Sequence, residues 1–469
     1  MAPQQKTCGG RKGKSALKYI CFVLALLLAL GGTGCQKREP NNQGTVQQSP
    51  PPQKAEELEE KIPEEVSEEP AFTALLNGEA LDSAALWDNV RFGPGDKLEI
   101  TINQGQANSL HLFSLGEKEI SLKIEVFGGE TTVITEIAPG ERWCALPKAA
   151  EQITLIFQEE AALSHMRPVL MEEPLEQLAI VGYWPVASAE WEAVESHLNN
   201  VTDLVVNTGC YWQADGALAV NQPLKDALAH LNKLPGGSRP AVWCTINPQG
   251  ALIREGTAGE TINTPEKRQA LAETMVRFCV ENGIQGVDID WETPTLAEWP
   301  DFSSFIVTLS QKLQEEGLRL SLALYPGNVH LGQEAIAAVD RVNIMAYDQF
   351  DSQGRHATYE AAKAALDYFA SAGFSQGQLC LGVPAYGRPL DMSAQWPFYS
   401  SAQLSQGANL QGDVYYNGPQ LAADKTMLAA SQGLQGLMVY HLSCDLPGDN
   451  PQALTAVILK TSQWKQEGR

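Results

Sequence analysis

Four short runs between residues 97 and 157 alternate apolar and polar positions: KLEITIN (97–103), SLKIEVF (121–127), TTVITEI (131–137) and EQITLIF (151–157). A period of two puts every second side chain on one face, as in a strand half buried against a core. GPGD and APGE supply turn residues between such runs. The pattern predicts a small antiparallel β-sandwich over residues 71–174. Such a domain could bind glycan, or serve as a spacer that packs on its neighbour.

After Pro174 the rhythm changes to strand, then helix, repeatedly. Apolar strand candidates are LAIVGYW (178–184), TDLVVNTGCYW (202–212), PAVWCTI (240–246), GVDIDWE (286–292), LRLSLALY (318–325), RVNIMAYD (341–348), QLCLGVPAYG (378–387) and GLMVYHLS (436–443). Helical stretches separate them, such as PEKRQALAETMVRFCVENG (265–283), with Thr264 as N-cap and Pro265 at the first helical position. Eight strands alternating with helices predict an α/β fold, a (β/α)8 TIM barrel over residues 175–466. An open doubly wound sheet would want a Gly-rich phosphate loop after its first strand, and GYWPVASAEW is not one.

Residues 36–70, QKREPNNQGTVQQSPPPQKAEELEEKIPEEVSEEP, contain no aromatic and are dominated by Gln, Pro and Glu. They cannot bury enough apolar surface to offset ordering entropy, so residues 35–70 are expected to form a disordered tether. Ahead of them, basic residues up to Lys18 precede the apolar run YICFVLALLLAL (19–30) and the small residues GGTGC (31–35). That is the layout of an export signal over residues 1–34, and the apolar run falls short of the roughly 20 residues that span a bilayer. The segment ending at Cys35 resembles a bacterial lipoprotein signal, although Gly32 stands where an aliphatic residue is usual. The resemblance implies lipidation of Cys35 and a protein anchored to the outer face of the cell membrane, with simple secretion as the alternative.

Charge narrows the partners. The formal charge of −23 repels nucleic acid and anionic lipid, so no nucleic acid partner and no membrane contact beyond the lipid anchor are expected. Neutral polymers fit such a surface. The cysteines after residue 35 are widely spaced, no pair has metal-ligand spacing, and the seven histidines form no HxxxH, so neither a metal nor a cofactor is expected. The chain is expected to act as a monomer.

Within QGVDIDWE (285–292), Asp288, Asp290 and Glu292 alternate with Val287, Ile289 and Trp291. In a barrel strand the apolar set must face the helices, so the acids face inward, with Glu292 uppermost at the C-terminal mouth. Burying like charges in a row raises the pKa of at least one of them. A protonated acid above a coupled pair of carboxyls suits the cleavage of a glycosidic bond.

QGVDIDWE resembles the DxxDxDxE signature of glycoside hydrolase family 18, the chitinase family, with Gln285 in place of the first aspartate. MAYD (345–348), GVPAYGR (382–388) and GLMVYHLSCD (436–445) resemble the family's motifs on strands six, seven and eight. The resemblance implies a retaining hydrolase of β-1,4-linked N-acetylglucosamine polymers that uses the substrate's own 2-acetamido oxygen as nucleophile. Glu292 would be the acid, Asp290 would hold the acetamide N–H, and Asp288 would share a proton with Asp290. Tyr347 would donate to the acetamide oxygen. Met345, Asp348, Tyr386, Arg388 and Tyr440 would shape the sugar sites, and Tyr183, Trp184, Tyr211, Trp212 and Tyr325 near strand ends could stack on sugar rings.

Departures from the family pattern bear on the substrate. Tyr440 replaces the usual tryptophan of strand eight, and strand three ends TINPQG where chitinases commonly read SxGG. The stretch between Gly387 and Gly436 is too short for the extra α+β insertion that walls a deep cleft, which implies a shallower, endo-acting groove. Cleavage of peptidoglycan or spore cortex, cleavage of the N-glycan core, and a non-catalytic lectin are the other readings.

Overall fold

The structure is a computed structural model that describes residues 72–463 apart from 82–88, 127–128, 130, 172–177, 236–238 and 405–406. The expected export signal, Cys35 and the expected tether lie outside the described residues. Among those described, no helix is long and apolar enough to cross a membrane.

Residues 72–169 form two antiparallel sheets. The larger has the strand order 79–81, 72–76, 97–102, 152–157, 120–126, 131–137, and the smaller 90–92, 161–169, 107–114, 140–150. Both contribute to one apolar layer, with Leu98, Ile100, Leu122 and Leu155 from the larger and Leu110, Leu112, Cys144 and Leu163 from the smaller. The four strands with clear alternation are present. Strands such as Ala107–Ser114 escaped the pattern because both of their faces are largely buried, which removes the polar half of the alternation.

The second architecture is the expected closed barrel of eight parallel strands: β1 (Ala179–Pro185), β2 (Asp203–Trp212), β3 (Ala241–Pro248), β4 (Gly286–Ile289), β5 (Arg319–Leu324), β6 (Arg341–Ile344), β7 (Leu379–Pro384) and β8 (Gly436–Tyr440). Closure comes from β1 pairing with both β2 and β8. Thr264 caps the helix Pro265–Asn282 by accepting from the Lys267 N–H, and Gly283, at φ 64°, ends it. Between β1 and β2 the chain makes short 3-10 turns in place of a full helix.

The N-terminal end of the barrel is plugged. The Trp243 indole donates to Asp203 at 2.7 Å, Arg341 pairs with the same carboxylate at 3.1 Å, and Arg319 and Arg341 both lie over the Trp243 ring. Gly286 is required here, since a Cβ at that position would run into the Trp243 ring. The buried Arg341 is therefore engaged at the barrel floor, away from the acids of β4.

The sandwich rests on the helix Pro419–Ser431. Asp424 of that helix accepts from Arg142 at 2.8 Å, from the Ala145 N–H at 2.8 Å and from the Thr135 hydroxyl at 3.0 Å. This docking explains a helix whose polar residues Asp424, Lys425 and Thr426 are all buried: one side faces the barrel and the other the sandwich.

Candidate active site

Side chains alternate along β4 as its sequence requires. Val287, Ile289 and Trp291 join the apolar layer under the helices, while Asp288 points into the barrel. The strand is shorter than expected: the ladder ends at Ile289. Beyond it the Asp290 N–H donates to the Asn247 side-chain oxygen at 2.8 Å, so a side chain from the end of β3 takes over from the backbone. Asp290 and Glu292 thus sit just past the strand end, where a parallel barrel opens.

Asp288 is fully buried and meets no cation. Its Oδ2 accepts from the Tyr183 and Thr245 hydroxyls, each at 3.0 Å, and its Oδ1 from the Ser321 hydroxyl at 2.6 Å and the Asn343 amide at 3.2 Å. These donors come from β1, β3, β5 and β6. Burial raises the Asp288 pKa, and the four hydrogen bonds oppose the rise. The expected proton shared with Asp290 has no hydrogen bond here, because all four acceptor positions of Asp288 are already taken.

Asp290 is different. Its Oδ1 is buried without a hydrogen-bond partner. Its pKa stands well above the ordinary carboxylate value, first through burial and then through the charges of Glu292 and Asp288. A carboxyl oxygen so buried and unpartnered is an acceptor that lacks its donor. Glu292 is open to solvent at the mouth yet crowded by protein. Burial and then the Asp348 charge raise its pKa. Three neighbouring acids are therefore all biased toward protonation, the outermost being reachable from solvent.

The remaining predicted residues divide into three places. Tyr347, buried on the barrel's inner side, lies 5.9 Å from the half-buried Tyr440 ring at 24° and 6.1 Å from Tyr386 at 75°. Gly382 permits this packing, because a Cβ there would strike the Ile344 carbonyl and crowd the Tyr347 ring. Asp348 follows in the left-handed region at φ 62° and accepts from the Tyr386 hydroxyl at 3.0 Å and from Arg388 at 3.2 Å. Met345 shares the inner apolar cluster with Tyr183, Tyr347 and Tyr386.

Tyr183 is 2% exposed, and its hydroxyl serves Asp288, so it supports the acids from below rather than offering a stacking face. Trp184 faces the other way. Its indole donates to the Ala189 carbonyl at 2.8 Å and its ring tilts against Trp191, outside the barrel wall. Trp212 likewise packs against Trp291 and Phe305 in the outer layer. Period-two alternation accounts for both: each follows an inward neighbour by one residue. Tyr211 and Tyr325 are half-buried, and the Tyr325 hydroxyl reaches the Asp348 carbonyl at 3.4 Å.

Sequence reasoning missed the donors Thr245, Ser321 and Asn343 and the support from Asn247. The available signal was a lone polar residue inside an apolar strand, in register with an acid; Thr245 and Ser321 are the direct ladder neighbours of Asp288. It also missed Trp396 and Phe398, exposed by 44% and 43% on the loop after β7. The Trp396 ring lies 5.4 Å from Tyr386 and 5.9 Å from His441. That loop holds a three-stranded sheet of two-residue strands, Arg388–Pro389, Leu410–Gln411 and Val414–Tyr415. Six cysteines are buried and unpaired, and no cluster of three metal-capable side chains occurs among the described residues.

Residues 259–445, the segment holding β4 to β8, match the model of the family described as Glycosyl hydrolases family 18. Chitinase A1 of Niallia circulans is 27% identical over 217 residues, which cover 37% of this chain and 30% of that protein. Probable chitinase 10 of Drosophila melanogaster is 25% identical over 191 residues, 33% of this chain and 8% of that protein. The chain thus spans less than a third of the length of either relative. Among solved structures, a family 18 chitinase from the chitin utilization locus of Flavobacterium johnsoniae superposes with a TM-score of 0.54 at 22% identity, over 61% of this chain and 94% of that one. A chitinase from Bacteroides thetaiotaomicron gives 0.54 and 22% over 62% and 99%. These likenesses establish the shared barrel fold.

Proposed function

We propose that the chain is a retaining glycosidase that cleaves β-1,4 bonds of N-acetylglucosamine polymers of the chitin type by substrate-assisted catalysis. The observation that carries this reading is the unpartnered Oδ1 of Asp290, buried beside Glu292. A 2-acetamido N–H is the donor that such an oxygen lacks.

In the proposed reaction Glu292 protonates the leaving glycosidic oxygen, a step its raised pKa supports. The acetamide oxygen attacks the anomeric carbon as the glycosidic bond breaks, giving an oxazolinium ion. Asp290 accepts the acetamide N–H and stabilises the positive charge that develops there. Asp288, pinned by four neutral donors, is fixed in place beneath Asp290. The Tyr347 hydroxyl holds the acetamide oxygen in line for attack. Water then opens the ring of the intermediate, Glu292 takes its proton, and the anomeric configuration is retained. The alignments to chitinases support the substrate class. Action outside the membrane, from a lipid anchor at Cys35 or after secretion, belongs to the same proposal and rests on the first 35 residues alone.

The test incubates wild type and Glu292→Gln with chitooligosaccharides, peptidoglycan and an N-glycoprotein, and follows product anomers by NMR. Wild type should release the β-anomer from chitooligosaccharides, and the variant should lose about a thousandfold in rate. Equal, negligible release by both from every substrate would favour a binding protein. Undiminished cleavage beside a free-amine sugar would exclude assistance by the acetamide.

A further inference from the structure

The loop between β6 and the helix Tyr359–Ala372 begins at Asp348 and is bounded by two strained residues. Asp348 has φ 62° and Ala357 φ 51°, both in the left-handed region that non-glycine residues rarely occupy. Such conformations are costly and persist where surrounding contacts fix them. The contacts here are specific. At the far end, the Ala357 carbonyl accepts from the Lys425 ammonium at 2.7 Å and from the Asn417 amide at 3.2 Å. In the middle, Asp351 accepts from the Gln353 and Arg355 N–H groups, each at 2.9 Å, and from the Arg355 side chain at 2.7 Å.

The remaining arm of Arg355 leaves the barrel. Its Nη1 pairs with the Glu119 carboxylate, a residue of the sandwich. From Arg355 the contacts run back to the site through the same hairpin. Phe350 bridges His356 across it, Arg388 lies over the Phe350 ring, and Arg388 pairs with Asp348 at 3.2 Å. Asp348 is the acid whose charge falls on Glu292.

We infer that the sandwich is a working part of the active site: Glu119 is a positioning residue that, through Arg355, fixes the 349–357 loop and thereby Asp348 beside Glu292. The inference rests on the proposed glycosidase reading for its kinetic consequences, not for its structural ones. A domain that served only as a spacer would need no charged contact to a catalytic loop. This one sets Glu119 against Arg355 of the hairpin whose other end orients Asp348, and the charge of Glu136 from the sandwich falls on the same arginine.

The test compares full-length wild type, Glu119→Ala, Glu119→Gln and a control, Glu141→Ala. Glu141 joins the sandwich to the barrel at Lys363 of the helix Tyr359–Ala372 and does not touch the loop. Two readouts are taken: amide hydrogen exchange over residues 349–357, and the pH dependence of kcat and KM on chitooligosaccharides. Glu119→Ala should speed exchange in the loop about tenfold and lower kcat about tenfold with KM little changed, a misplacement effect. Its alkaline limb should move to lower pH, because a displaced Asp348 no longer raises Glu292. The other groups facing Glu292 are Asp290 and the hydroxyls of Tyr325, Tyr347 and Tyr440; they are unaltered. Glu119→Gln, which still accepts from Arg355, should recover most of the loss, and Glu141→Ala should leave loop exchange and the pH limb as in wild type. A fall in thermal stability with an unmoved limb and unchanged loop exchange would overturn the inference. So would equal effects of the Glu119 and Glu141 variants. Should wild type cleave none of the substrates, the proposed function fails and the exchange readout decides the inference by itself.

Discussion

The Tyr183 hydroxyl donates to Asp288 at 3.0 Å while accepting from the Asn343 amide at 2.9 Å, so one phenol ties β1 to β4 and β6 at the centre of the barrel. Its pKa is pushed up by burial first and by the neighbouring Asp288 and Asp290 charges next, which keeps the hydroxyl a donor. Tyr183→Phe keeps the ring and deletes this link. Asp288 then loses one of the bonds that oppose its burial, and the buried Asn343 amide loses an acceptor. The variant should lose about 1–3 kcal/mol of stability in denaturant unfolding, and its kcat on chitooligosaccharides should fall about tenfold. Unchanged kcat would show that the tie from Tyr183 to Asp288 is not needed for turnover.

Asp348→Asn tests the electrostatic control of Glu292. A general acid works while protonated, so activity falls as pH rises through its pKa. Burial and Asp348 both raise that pKa, which carries the alkaline limb of kcat/KM above the ordinary glutamic acid range. Removing the Asp348 charge leaves burial alone, and the limb should move to lower pH. Arg388 pulls Asp348 toward its charged form. Loss of the arginine in Arg388→Met should therefore weaken the Asp348 charge and shift the limb in the same direction, by less. A limb that stays put in Asp348→Asn would assign the titration to another group.

The barrel and its acid strand were legible because both follow from local alternation. Val287, Ile289 and Trp291 can only face helices, which leaves Asp288, Asp290 and Glu292 the other side. Three features were not legible, each because it depends on contacts far apart in sequence. Trp184 looked like a sugar platform, but the alternation that turns Tyr183 inward turns Trp184 outward. The donors that hold Asp288 come from strands up to 105 residues away, and each is an ordinary Thr, Ser, Tyr or Asn in its own segment. The docking of the sandwich depends on Asp424, whose partners Thr135, Arg142 and Ala145 lie 289, 282 and 279 residues away in the chain.

That docking gives a stability prediction. Arg142 is 5% exposed and Asp424 is fully buried, so the pair has little contact with water. Asp424→Ala leaves a guanidinium buried without its carboxylate and also orphans the Ala145 N–H, so it should cost about 3–5 kcal/mol. Replacing both together, Arg142→Met with Asp424→Leu, removes the stranded charge and should cost distinctly less. Denaturant unfolding of the two variants and wild type measures the difference. A double variant no more stable than Asp424→Ala would mean that the polar network is irreplaceable by packing.

Trp396 is the last test and concerns the length of glycan held. Its ring is 44% exposed and stands edge-on to Tyr386, whose hydroxyl is bound to Asp348. A sugar laid on this ring would extend the row of aromatic groups that begins inside the barrel at Tyr347 and Tyr440. Covering about 50 Å² of apolar ring face at roughly 25 cal/mol per Å² is worth about 1.3 kcal/mol, close to tenfold in affinity. Trp396→Ala should therefore raise KM by nearly that factor for long chitooligosaccharides and leave the shortest cleavable one unaffected, with kcat preserved in both. The comparison across lengths is decisive, because general damage to the loop would raise KM for every substrate alike. A uniform rise, or none, would remove Trp396 from the substrate path.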